Sequence, residues 1–180
     1  KHWQKCDLST NFLTQTQWIR QNVTNLNIAM VLHVGDMTQA DDEREWKIVD
    51  QAFKTLDDVV PYCVVPGNHD MGFVPASLFR WSPKFADSRT TGLNKYFSPA
   101  RFEKKPWYGG HFGEGNESSY CLFDAANLKF ILVALEFKPR DEVIAWANKI
   151  INEHQDRRCI ILTHGYIDEN NKLSTELDYG

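Results

Sequence analysis

Residues Pro61–Asp70 read PYCVVPGNHD, and their reading decides the fold. An apolar run (Tyr62, Cys63, Val64, Val65) gives way through Pro66 and Gly67 to three polar side chains, Asn68, His69 and Asp70. A short continuous apolar run between breakers is the pattern of a strand covered on both faces, because a strand with one wet face alternates. Gly67, lacking Cβ, lets the backbone turn sharply and approach a ligand closely. Packing does not explain the polar triplet that follows, so it is a candidate for chemistry.

Upstream, Ile28–Val34 (IAMVLHV) repeats the pattern: a buried-strand run that ends at Gly35-Asp36. Before it, Phe12, Thr16, Ile19, Val23 and Leu26 fall on one face at helical spacing, with Ser9 or Thr10 as N-cap and Trp18 beside the stripe. Between the two strands, Trp46, Val49, Phe53, Leu56 and Val60 mark a helix from about Asp42 to Asp58, whose first turn holds Asp42 and Glu43. Helix, strand, helix, strand in succession predicts a parallel sheet with helices on its faces. Downstream, Tyr120–Ala125 and Leu128–Leu135 read as neighbouring strands about a tight turn at Ala126–Asn127. Pro139 opens a third helix with Ile144, Ala147 and Ile151 toward the core. Arg158–Leu162 (RCIIL) is the last clear strand, and Thr163, His164 and Gly165 follow it. The expected fold class is α/β: a layered sandwich, largely parallel, with flanking helices.

Residues Met71–Ser119 differ in character. They hold 10 of the 23 aromatic residues and carry seven Lys/Arg against four Asp/Glu, net +3, which leaves −7 on the rest of the chain. Linkers are poor in aromatics, so the segment reads as a structured insertion in a single domain spanning 1–180. Its charge suits steering of an anion toward a cleft. Trp81, Trp107 and Tyr108 suit stacking on a ligand, although a small satellite core is the favoured reading. His111, within the insertion, reads as a surface histidine.

The overall charge of −4 argues against a general nucleic-acid binder, whose footprint is basic. Runs such as Phe130–Leu135 are far shorter than the roughly 20 residues of a membrane-spanning helix. The four cysteines (Cys6, Cys63, Cys121, Cys159) show no zinc-like spacing, and Cys63 and Cys159 read as buried thiols. His33, inside a strand, reads as a core histidine or one that supports a neighbouring site. Asn22-Val23-Thr24 and Asn116-Glu117-Ser118 match the glycosylation sequon, as short motifs do by chance.

Three strands therefore end in unexplained polar groups: Asp36; Asn68, His69 and Asp70; and His164. In open α/β sheets ligands bind beyond the carboxyl ends of the strands, where these clusters would meet. A carboxylate, a carboxamide oxygen and an imidazole form a mixed N/O donor set suited to Mn, Fe or Zn rather than to Ca or Mg. Two such cations about 3.5–4 Å apart clamp a phosphoryl group and acidify a bridging water.

The stretches VLHVGDMTQ, VVPGNHD and ILTHGY resemble, in order and spacing, the second, third and fourth motifs of the calcineurin-like metallophosphoesterases. LEFKPRDEVIAWANKII is similar to one subgroup of that family. The resemblance implies hydrolysis of phosphomonoesters or phosphodiesters at a site of two divalent transition metals. Asp36 would bridge the metals, and Asn68 and His164 would bind the second. His69 would protonate the leaving oxygen, with Asp70 orienting it. The family's first motif, Asp-x-His, and its last, Gly-His-x-His, are absent from this sequence, and both ends read as cuts. A piece with three of the five motifs is expected to bind metal weakly and turn over poorly. Gln39 stands where purple acid phosphatases carry an iron-binding Tyr, so a purple site is not expected. Members of the similar subgroup are often exported, which points to an extracytoplasmic location. The alternative function is a binding or structural domain that has kept the fold and lost catalysis.

Overall fold

Alternation along one strand sets the layering. In the computed structural model, which describes residues 8–71, 91–167 and 172, β2 (Tyr62–Val64) is buried on both faces. Tyr62 and Val64 face one core, and Cys63 and the following Val65 face another, as a period of two requires. The first core is closed by α1 (Leu8–Asn22) and α2 (Glu43–Lys54), through Phe12 and Ile19 of α1, Val23 just after it, and Trp46, Val49 and Phe53 of α2. Full burial of side chains like these is worth about 1.5–3 kcal/mol each.

β1 (Val31–His33) pairs in parallel with β2, Leu32 opposite Cys63. A second, four-stranded sheet packs on the other face of this pair. It comprises β3 (Tyr108–His111), β4 (Ser119–Ala125), β5 (Leu128–Ala134) and β6 (Arg158–Leu162), in that spatial order. β4 and β5 form the expected hairpin, and its turn residues Ala126 and Asn127 have φ of 50° and 61°. Positive φ at both central residues matches the right-handed twist of the strands. β5 and β6 run parallel. Leu132 and Ala134 face β2, whereas Ile131 and Val133 face the last helix, Asp141–Glu153, which packs through Val143, Ala147 and Ile150. The layers are thus helices, parallel pair, mixed sheet, helix.

Several sequence expectations shift. His164 follows a strand of the mixed sheet, while Asp36 and Asn68 follow the parallel pair, so the three strands are not neighbours in one sheet. Ser9 and Thr10 lie inside α1 (Leu8–Asn22) rather than capping it. The last helix turns its Val143–Ala147–Ile150 stripe inward and leaves Ile144 39% exposed. Apolar residues occupy both stripes, and only the facing sheet chooses between them. Cys63 and Cys121 are buried free thiols, but Cys159 is exposed.

The described part of the insertion forms α3 (Leu93–Tyr96), α4 (Pro99–Phe102) and β3; Trp81 lies outside the described residues. Trp107 packs on Phe102 and Tyr62, with ring centroids 5.7 and 6.1 Å away, and the Tyr108 hydroxyl donates to Asn116 Oδ1 at 2.7 Å. These rings extend the core. Three of the described basic residues of the segment serve the same docking. Arg101 binds Asp50 and Asp57, Lys95 binds Glu43, and Lys105 binds Asp58. Asn116 of the second sequon is 3% exposed and donates to the Phe97 carbonyl, so no glycan fits there. Among the described residues no helix is long and apolar enough to cross a membrane.

Candidate metal centre

Two glycines allow three loops to meet. Gly35 follows β1 with φ +97°, and a Cβ there would stand 2.7 Å from both the Gly67 nitrogen and His164 Nδ1. A Cβ on Gly67 would collide with the Asp36 carboxylate. Asp36 itself has φ 54°, a left-handed conformation that Asp tolerates better than most residues. The chain thus turns so tightly after β1 that the Asp36 side chain lies against the loop after β2.

Asp36 Oδ1 accepts from the His69 backbone N–H at 3.1 Å, and Oδ2 lies 3.5 Å from His164 Nε2. His164 Nδ1 is 2.7 Å from the Val34 carbonyl, and Nε2 is 3.0 Å from Asn68 Oδ1. A carbonyl only accepts, so Nδ1 carries the proton of the neutral ring and donates it to Val34. Nε2 then turns a lone pair toward the Asn68 oxygen and the Asp36 carboxylate. In that neutral tautomer three lone-pair donors converge, an arrangement that either a cation or a proton on Nε2 relieves. The Val34 carbonyl behind Nδ1 is the kind of outer support that metal-binding imidazoles have.

The donor set fits a cation at this end of the site. Among the described residues no group of three His, Cys, Asp or Glu side chains stands together to hold a metal, and the third donor here is the Asn68 amide. The three residues thus bring together one carboxylate, one amide oxygen and one imidazole nitrogen.

His69 and Asp70 part company. Asp70 is fully buried, and its carboxylate accepts from the Met37, Thr38 and Gly67 N–H groups and the Thr38 hydroxyl at 2.8–3.0 Å. Burial pushes its pKa up to about 6, against the opposing pull of those donors. Its recorded bonds go to the loops after β1 and β2 and none to the His69 ring, so the orienting task expected of it falls elsewhere. His69 Nδ1 lies 2.8 Å from the Gln39 carbonyl and 3.0 Å from the Gln39 side-chain nitrogen. Gln39, read in the sequence only as the residue that excludes a purple iron site, holds the ring. Its part escapes sequence reading because a backbone carbonyl carries no residue signature.

His33 lies behind the site, its ring 5.6 Å from Phe12 and 5.9 Å from Phe53, and its Nδ1 accepts from the Gly35 N–H at 3.3 Å. Burial lowers its pKa to about 4, against the opposing charge of Asp36. His111 is half-buried rather than superficial, with Nδ1 unpartnered. Beside Asp36, a cavity of about 350 Å³ is lined by Phe12, Gln15, Met37, Gln39 and Glu45 among others.

A profile of the family described as Calcineurin-like phosphoesterase matches residues 7–178. The chain is also 35% identical over 158 residues to the Bacillus subtilis (strain 168) protein YvnB, a match covering 87% of this chain. The chain spans only 11% of that relative's length. The match spans nearly the whole sequence, and the chain belongs to the calcineurin-like phosphoesterase family.

Proposed function

We propose that the chain carries the metal-dependent phosphoester hydrolase activity that its family implies, with Asp36, Asn68 and His164 as metal ligands and His69 as proton donor. The convergence of Asp36 Oδ2, Asn68 Oδ1 and His164 Nε2, with the His164 proton committed to Val34, supports this reading most directly. The mixed donors suit Mn, Fe or Zn. A bound pair of such cations would polarise the phosphoryl oxygens and supply a nucleophile from water at neutral pH. The second cation of that pair calls for ligands beyond the three residues named.

The chain's own residues then divide the work. Asp36 is held by the His69 N–H so that its second oxygen faces His164. Asp70 binds the loops after β1 and β2 together and so fixes the separation of Asp36 from Asn68. His69 keeps its Nδ1 proton on the Gln39 carbonyl and uses Nε2 toward the leaving oxygen. As the phosphorus–oxygen bond breaks, its electron pair goes to the leaving oxygen, which takes the Nε2 proton.

The test is a phosphomonoester and phosphodiester panel run on the full-length polypeptide, stripped with chelator and resupplied with Mn²⁺, Zn²⁺ or Fe²⁺. Hydrolysis should vanish on stripping, return with one of these metals, and be lost in Asp36→Ala. Hydrolysis untouched by chelator, or by Asp36→Ala, would sink the proposal.

A further inference from the structure

We infer that Glu45 is a positioning residue for His69, acting through the backbone of Gln39. The inference rests on the reading of His69 as the proton donor to the leaving oxygen. Glu45 lies in the first turn of α2, where its own N–H donates to the N-cap Asp42 at 2.8 Å. Asp42-x-x-Glu45 has the form of a capping box, in which the acid reaches back to the cap's own N–H. Glu45 reaches further. One oxygen, Oε2, accepts from both the Gln39 N–H at 3.1 Å and the Ala40 N–H at 2.8 Å. On the far side of the same residue, the Gln39 carbonyl takes the His69 Nδ1 contact at 2.8 Å.

The two bonds on Glu45 pin the peptide units on either side of the Gln39 Cα, and with them the direction of the Gln39 carbonyl. That carbonyl sets the ring plane, and an imidazolium that donates to it from Nδ1 has its transferable proton on Nε2. The support is stiff because α2 is anchored by Trp46, Val49 and Phe53, each 2% exposed or less. Catalytic side chains need such locking to within fractions of an ångström. The proton balance is unaffected. The P–O pair passes to the leaving oxygen, which takes the Nε2 proton of the imidazolium, and the ring is left neutral with Nδ1–H on Gln39.

A residue that only caps a helix lowers activity evenly for all substrates. One that aims a general acid matters in proportion to how badly the leaving group needs the proton. The test therefore compares phenyl phosphate with 2,4-dinitrophenyl phosphate, and their methyl diesters, on the Mn²⁺-loaded full-length polypeptide. His69→Ala and Glu45→Ala should each lose about 10- to 100-fold in kcat on the phenyl esters. On the dinitrophenyl esters each should lose less than about twofold, because that leaving group departs unprotonated. The double variant should be no worse than His69→Ala alone, as residues acting in one unit are non-additive. Glu45→Gln, which keeps an acceptor oxygen at the same reach, should restore the phenyl rate. Glu45→Asp keeps the helix-end charge but falls short of Gln39, and should behave like Glu45→Ala; it serves if the alanine variant does not fold. Selectivity in His69→Ala with an even loss in both Glu45→Ala and Glu45→Asp overturns the role of Glu45 alone. An even loss in His69→Ala overturns the acid role of His69 and this inference with it.

Discussion

At the scale of single residues, the site depends on what is missing at two positions. Gly67 approaches Asp36 so closely that a methyl group there must push the carboxylate away. Gly67→Ala should lower metal affinity by about 10-fold or more, as displacement of supporting groups does, with the protein still folded by circular dichroism. Unchanged affinity would mean the loops do not need this contact. Titration of the two buried groups gives a second prediction. His33, lowered to about 4, binds fewer protons folded than unfolded between pH 4 and 6.5, so it adds stability above that window and loses it on acidification. Asp70, raised to about 6, binds more protons when folded between pH 3.8 and 6, so its contribution grows on acidification. Each is worth about 3 kcal/mol at its limit and the signs oppose. His33→Gln in metal-free protein should therefore leave Asp70 unopposed. Its urea-unfolding free energy relative to wild type should rise by about 2–3 kcal/mol from pH 7 to pH 4.5. Parallel pH curves would contradict the assignment.

At the scale of elements, the described part of the insertion is fastened to α2 by charge and by rings. Arg101 is 14% exposed, binds Asp50 at 2.7 Å and Asp57 at 3.2 Å, and lies 4.7 Å from the Phe97 ring centroid. Arg101→Ala leaves two acids without their partner and should cost about 3 kcal/mol in denaturant unfolding. A loss below about 0.5 kcal/mol would class the pair with exposed surface bridges. Trp107→Ala should cost about 3 kcal/mol as well, with KM for small phosphoesters unchanged; a raised KM in a protein of normal stability would instead make Trp107 a substrate contact. Elements with a strong local signature were legible in the sequence. Trp46, Val49 and Phe53 announced α2, and the GNHD quartet after VV announced the end of β2. What was not legible depended on neighbours far along the chain. The choice of Val143 over Ile144 as the inward stripe, the exposure of Cys159 and the use of basic insertion residues as docking pairs are all decided by the facing surface, not by local pattern.

At the scale of the whole molecule, convergence of the strand ends was legible, but its route was not. One parallel sheet was the simplest reading of helix and strand alternating, yet hydrogen bonding divides the strands into a parallel pair and a mixed sheet stacked on it. His164 reaches Asn68 across that interface rather than along one sheet. The proposed ligand residues stood out because polar groups at the ends of buried strands have no packing role. The supports of His164 and His69, Val34 and Gln39, act through backbone carbonyls and leave no trace in residue type. The central claim is that Asp36, Asn68 and His164 together hold a cation. Calorimetric titration of Mn²⁺ into the chelator-stripped full-length polypeptide tests it most directly, with Asp36→Ala, Asn68→Ala and His164→Ala as comparators. The account predicts that each substitution weakens binding by at least about 10-fold, while each variant stays folded. Wild-type affinity in any folded member of the three would contradict it.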